Sequence, residues 1–481
     1  MIIRSSIFSL RDRGSSSGCL ACFLVILSLA VIDKCVAGEL LAGIAKVEAT
    51  PELGVSLNGP ISKPGPARGV HDPLHVRALV LSNSGVKLAL VVCDNCMIGP
   101  DVVQSAKEMA SLPSGLAQDH ILIAATHTHA APRAVHISRT NIDDKYHKKL
   151  AKQIAEAIID AAASLEPVKV GFATFERSDL LSCRRKKCEP GSVGPSPFGD
   201  ASETVKSVAG SSRAVIGPAG PVDPEFSVIE FRRLNNSKLC VIGNFGVHYC
   251  GGYAGGKISA DYFGFFCSAV EKTQQSEPLL GMMFNGTSGD VGSFTRTQKK
   301  YLPFEAMQVY GRELASQALA AVDKGRFEPG LELQVIESRI QIGVRKPSKR
   351  RLAWAKDMLA SEGEKLPHRW TKIYAQEALY LSSYPEHVEL VLQAIRIGDI
   401  AITANPCETF ASTGLQVKQA SPFEKTINFE LANGYGGYLP PREQHMLGGY
   451  ETWPARSSFL DVDAEEQIRL ELLRLLGELE R

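Results

Sequence analysis

Apolar positions along this chain change period repeatedly, and each change marks a strand, a helix or a turn. Residues 42–50 followed by Pro51 read as a first strand ending in a turn. Two apolar runs, 76–81 and 86–93, flank Asn83-Ser84-Gly85, a hairpin signal. Residues 102–110 read as a helix, and 121–125 as a buried strand. Residues 146–165 carry apolar side chains at steps of three and four, the mark of an amphipathic helix. Strand returns at 168–174. From 178 to 224 the pattern lapses into Gly, Ser and Pro around the basic cluster Arg184-Arg185-Lys186-Lys187, and reads as a long irregular loop. Strands at 226–231 and 239–245 enclose Asn235-Asn236. A helix at 306–322, a strand at 332–342, a charged helix across 351–384 and strands at 390–397 and 400–404 follow. The tail, 463–479, reads as a capped amphipathic helix. Strands and helices are interspersed with no repeat and no linker. The fold class expected is α/β, a single mixed-sheet domain with helical outer layers.

The first residues set the compartment. Arg4, Arg11 and Arg13 precede the apolar run 19–32, and Cys35-Val36-Ala37 offers small residues for cleavage before Gly38. That order predicts a signal peptide over 1–37 and an exported chain, periplasmic, secreted or at the cell surface, over 38–481. The apolar run is too short to span a bilayer comfortably. Lys+Arg total 53 and Asp+Glu 52, so no basic field argues for nucleic acid. Export permits disulfides, and Cys183 and Cys188 are spaced to close a small loop. Cys93-Asp94-Asn95-Cys96 has no second C-x-x-C to complete a zinc site, and reads as buried thiols at a strand end.

The chemistry gathers at Thr126-His127-Thr128-His129. Alternation along a strand would set both imidazoles on one face, which offers either half a metal centre or a hydrogen-bonded buried pair. Three more donors follow strand ends or glycine turns. They are His248 in Gly246-Val247-His248, Glu408 in Pro406-Cys407-Glu408, and Tyr438 in Gly436-Gly437-Tyr438. Spacing alone does not show that they converge.

Taken together, the segments 42–51, 91–94, 126–132, 245–248, 259–261, 289–291, 406–408 and 433–438 resemble, in order, the neutral ceramidases and their shorter bacterial relatives. The resemblance implies a zinc-dependent hydrolase of an N-acyl amide bond, acting on a lipid or small-molecule substrate, with peripheral membrane contact and no protein partner. It implies one Zn²⁺ held by His127, His248, Glu408 and Tyr438, a nitrogen and oxygen set acceptable to zinc. His129 then becomes the catalytic acid–base or orienting group beside the ion. Zinc would acidify a water and polarise the scissile carbonyl.

Two departures separate the chain from that family. The family reads Gly-Asp-Val-Ser, whereas here Gly289-Asp290-Val291 is followed by Gly292, with Ser293 one place on. A slip of one residue re-aims a side chain, so an activated water is the expected nucleophile rather than a serine. The immunoglobulin-like sandwich that ends the family's chains has no counterpart in the strand pattern here. Arg184 and Arg185 stand either where the family contacts substrate or in a solvated loop. These departures admit a polar N-acyl sugar or an ester as alternative substrate, or a metal-binding relative without catalysis.

Overall fold

The computed structural model describes residues 38–57, 65–132, 134–135, 144–207, 214–293, 301–362 and 365–481. The expected leader, 1–37, lies outside the described residues. Among those described, nine strands join one sheet. Its path runs Leu280–Asn285, Lys238–Phe245, Glu225–Arg233, Glu166–Glu176, Leu41–Glu48, His75–Asn83, Val86–Cys93 and Ile121–Ala125, with Phe327–Pro329 added onto Glu166–Glu176. The middle is antiparallel. His75–Asn83 turns into Val86–Cys93 through Ser84 and Gly85, whose φ values of 49° and 86° are those a two-residue hairpin demands. The pairs at the two ends are parallel. A parallel pair needs a crossover, and the helices Pro100–Ser114 and Asp261–Glu271 supply them.

A second sheet of four strands runs Leu333–Gly343, His387–Ile397, Ile400–Ala404 and Lys425–Phe429. Its last pair is again parallel, with helix Ala411–Ala420 between the strands. The two sheets pack face to face. Leu79, Leu81, Leu90 and Ile242 of the first share one core with Ile395, Ile402 and Ile427 of the second. Phe284 stacks on Phe429 across the gap at 4.1 Å.

Alternate residues on the first sheet's strands face outward. Ala78, Val80, Ala89 and Val91 meet Val102 and Ala106 of one helix and Ile154 and Ile158 of Asp144–Ala163. Val241 and Met283 meet Phe266 and Leu314, from Asp261–Glu271 and Glu305–Val322. Helix Ala464–Glu480 covers the second sheet through Ile468, Leu472 and Leu475. Burial on both faces is why these strands read as unbroken apolar runs. The mixed α/β class with helical outer layers is the one found, with a second sheet enclosed between the layers. Residues 37–481 cluster as one compact unit. No helix among the described residues is long and apolar enough to cross a membrane.

Three expectations change. The stretch expected as one irregular loop carries short strands. Leu181–Cys183 pairs with Val291–Ser293, and Arg185–Cys188 lies between Val205–Ser207 and Val215–Pro218. A buried charge organises it. Arg185 is 0% exposed, pairs with Glu451 at 2.8 Å and donates to the Gly448 carbonyl at 2.7 Å. A polar anchor leaves no hydrophobic period to read, and Arg185 is not part of a solvated loop. The charged helix expected over 351–384 is two helices, Lys349–Ala360 and Thr371–Ser382, with Pro367 between them. Asp463 makes no side-chain cap on the last helix and pairs with Arg442 instead.

The cysteines change as well. All eight described cysteines are buried, and Cys183 and Cys188 are not joined to each other. Cys183 and Cys188 each turn to a nearby carbonyl, of Arg185 and Lys186, because they end different strands in different small sheets.

Candidate metal centre

Three parallel pairs deliver their carboxyl ends to one place. His127 lies two residues beyond Ile121–Ala125, His248 three beyond Lys238–Phe245, and Glu408 four beyond Ile400–Ala404. Each strand belongs to a different parallel pair. The carboxyl ends of parallel strands are the usual seat of ligands in α/β proteins.

Residues 430–433 lace the three ends together. Glu430 N–H donates to the Asn285 carbonyl at 3.2 Å, and the Leu431 carbonyl accepts from Ala125 N–H at 3.1 Å. Ala432 N–H donates to the Asn405 carbonyl at 3.0 Å. Two of the ends also touch through glycine. A Cβ on Gly289 would stand 2.3 Å from the Glu408 carbonyl oxygen, so only glycine admits this approach.

His127, His248 and Glu408 are all but fully buried. The ring nitrogens Nε2 of the two histidines are 3.0 Å apart, and Glu408 Oε2 lies 3.5 Å from His127 Nε2 and 3.7 Å from His248 Nε2. The far nitrogens are engaged. Nδ1 of His127 meets the Cys96 carbonyl at 2.7 Å, and Nδ1 of His248 meets the Ser288 carbonyl at 3.3 Å. A carbonyl only accepts, so each Nδ1 carries its hydrogen, and each ring when neutral presents a lone pair at Nε2. Glu408 Oε1 accepts the Tyr435 hydroxyl at 3.1 Å, whereas Oε2 is a buried oxygen with no donor.

These facts test the fit to a cation. Two lone pairs and an orphaned carboxylate oxygen face one another. Their separations bracket the spacing of about 3.3 Å that tetrahedral zinc imposes on its ligands. Burial, with Arg184 and His127 adding repulsion, holds His248 well below the ordinary histidine value. Burial also opposes charge on His127, but Cys96 and Glu408 outweigh it and raise that ring well above the ordinary value. Of the two rings, His248 therefore favours its neutral form and His127 its charged form. The donor set fits zinc.

His129 reaches the same place by a different route from the one expected. The strand stops at Ala125, and His127 has φ 76°, in the left-handed region. Alternation along a strand therefore does not place the two rings. His127 is held in that conformation by its N–H bond to the Asn95 carbonyl at 2.8 Å. His129 Nε2 still arrives 3.5 Å from His127 Nε2, its ring stacked on Tyr249 at 3.7 Å. It is the partly exposed member of the group.

Tyr438 sits on the short strand Gly437–Leu439, parallel to Cys407–Thr409 and in register with Glu408. Its ring lies parallel to that of His248, with centroids 6.3 Å apart. Its hydroxyl accepts from Arg184 at 3.1 Å and meets the Tyr450 hydroxyl at 3.3 Å. Arg184 also donates to the Gly289 carbonyl at 2.7 Å and pairs with Glu451. Gly292 lies opposite Ser182, and the Ser293 side chain is outside the described residues.

Several groups here escape sequence reading. The carbonyls of Cys96 and Ser288 orient the imidazoles, and backbone groups carry no sequence signal. Tyr435 holds Glu408 and Tyr450 meets Tyr438, and the first stands inside the segment already singled out at 433–438. Glu430 follows a strand end, as the donors do, and that position was its only signal.

No family model matches the chain, and no curated protein matches it by sequence. Solved structures match it in fold, two ceramidases among them. One is neutral ceramidase from Pseudomonas aeruginosa, 18% identical, with a TM-score of 0.68 over 92% of this chain and 74% of that one. The chain has the neutral ceramidase fold. A ceramidase complexed with C2 matches equally, 16% identical, with a TM-score of 0.68 over 92% and 75% of the two chains. The order of segments read from the sequence is thus matched by an architecture shared across nearly the whole chain.

Proposed function

We propose that the chain is an exported, zinc-dependent hydrolase of an N-acyl amide bond. The observation that carries this is the buried trio of His127 Nε2, His248 Nε2 and the donorless Glu408 Oε2, on the fold of neutral ceramidase. His127, His248 and Glu408 would hold the ion, with Tyr438 beside them. Zinc there would polarise an amide carbonyl and acidify a water.

The chain's own residues supply the rest. His129, partly exposed and locked in orientation by Tyr249, is placed to take or return a proton at a ring nitrogen. Arg184 holds the Tyr438 hydroxyl and brings positive charge to the same side, where charge develops on an attacked carbonyl. The backbone of the three strand ends fixes the donors before substrate arrives, so little reorganisation is needed at the moment of reaction.

A polar N-acyl sugar or an ester is the second reading of the substrate. It is favoured by Gly292, which stands where ceramidases have their serine. Metal analysis of purified protein tests the centre, with one zinc per chain expected. Turnover of ceramide, N-acyl sugars and acyl esters side by side tests the substrate. A protein that takes up no zinc and hydrolyses none of the three would refute the proposal.

A further inference from the structure

Glu430 is 0% exposed, and no role described above uses its side chain. It follows the Lys425–Phe429 strand, in the segment that laces the three strand ends. Burial pushes its carboxyl up to about 8, against the pull of the Ser288 hydroxyl. Its Oε2 accepts two backbone N–H groups, from Ser288 at 3.1 Å and from Thr409 at 2.9 Å. Its Oε1 is 2.5 Å from Ser288 Oγ.

The two N–H groups belong to the supports of two different donors. Ser288 is the residue whose carbonyl holds Nδ1 of His248. The N–H of Thr409 lies in the same rigid peptide plane as the carbonyl of Glu408. One carboxylate therefore clamps the backbone beneath His248 to the backbone of Glu408.

We propose that Glu430 is a positioning residue of the metal centre, setting the 3.7 Å separation of His248 Nε2 and Glu408 Oε2 through these two N–H bonds. This rests on the reading of the trio as a metal site. What the clamp requires is an acceptor of this length, and negative charge is secondary. Glutamine meets the requirement, because its carbonyl accepts both N–H groups and its amide donates to Ser288 Oγ. Leucine leaves two buried donors unpaired. Aspartate keeps the carboxyl group but is one methylene too short.

The test measures zinc affinity by competition with a chromophoric chelator, the visible spectrum of the cobalt-substituted protein, and the melting of the zinc-free protein. Glu430→Leu is expected to weaken zinc binding by about 10- to 100-fold, the usual effect of losing a group that orients ligands, and to alter the cobalt spectrum. Glu430→Gln is expected to keep both close to the unaltered protein. Should Glu430→Leu not fold, Glu430→Asp asks the same question and is expected to bind zinc less tightly than Glu430→Gln. A Glu430→Leu protein that melts lower but binds zinc normally, with an unchanged spectrum, overturns the proposal. So does tighter binding by Asp than by Gln. Failure of the unaltered protein to bind zinc removes the metal reading itself, and the proposal with it.

Discussion

Gly292 and Arg184 touch: a Cβ on Gly292 would stand 3.2 Å from the Cβ of Arg184. The room that a serine would use in this strand is room that Arg184 needs to reach Tyr438. Gly292→Ser is therefore expected to disturb Arg184 and lower turnover, where a serine-nucleophile mechanism predicts a gain. Ser293→Ala is expected to keep most of the activity. Trapping of a covalent acyl group on Ser293, with the alanine variant inactive yet zinc-loaded, would restore the serine mechanism.

Zinc should stabilise the folded chain, because the unfolded chain cannot present the trio. At a free concentration a hundred times the dissociation constant, the gain is about 2.7 kcal/mol. Thermal melts with zinc and after chelation should differ accordingly. His248→Ala and Glu408→Gln should abolish that difference, and Tyr438→Phe should reduce it. Normal zinc stabilisation in all three variants would mean that the ion sits elsewhere.

His129→Ala should behave differently from the variants of the trio. Its ring is the partly exposed one, so removal should leave zinc bound while slowing turnover by about 10²–10⁴-fold, the usual worth of a positioned acid or base. Metal content and kcat measured on the same preparation decide it. Loss of zinc together with activity would move His129 into the ligand set.

Stability should fall on mild acidification through two part-buried histidines outside the trio. Burial, with repulsion from Arg77 and Lys46, lowers His75 to about 4, and burial with Arg345 lowers His445 to about 3. An unfolded histidine takes its proton near about 6.5. Below that value the unfolded chain binds protons that the folded chain refuses. The stability from keeping these rings neutral is thus full above pH 6.5 and is lost as the pH falls towards 4. Urea midpoints at pH 7 and pH 5 should show the decline, and His75→Gln with His445→Gln should flatten it. An unchanged slope in the double variant would contradict this.

The exported protein should begin near Gly38. N-terminal sequencing of the mature chain checks it, and a retained Met1 would refute cleavage.

What the sequence made legible follows from what repeats. The hairpin at Asn83-Ser84-Gly85 and the helix Asp144–Ala163 were readable because turn residues and helical spacing leave a periodic trace. His127, His248 and Glu408 stood out as candidate donors because each lies just past a strand end, and Tyr438 because it sits in a glycine-rich turn. Arg185 and Glu451 were not, because a buried ion pair between residues 266 positions apart has no local signature. Nor was the conformation of His127, since a left-handed residue after a strand is fixed by the Asn95 carbonyl, a contact from another strand end.

That conformation carries a further consequence. A non-glycine residue in the left-handed region costs on the order of 1–3 kcal/mol, and glycine occupies it without penalty. His127→Gly should relieve the backbone that His127→Ala leaves strained. The fold thus bears a backbone cost at His127 that glycine in the same place would not incur.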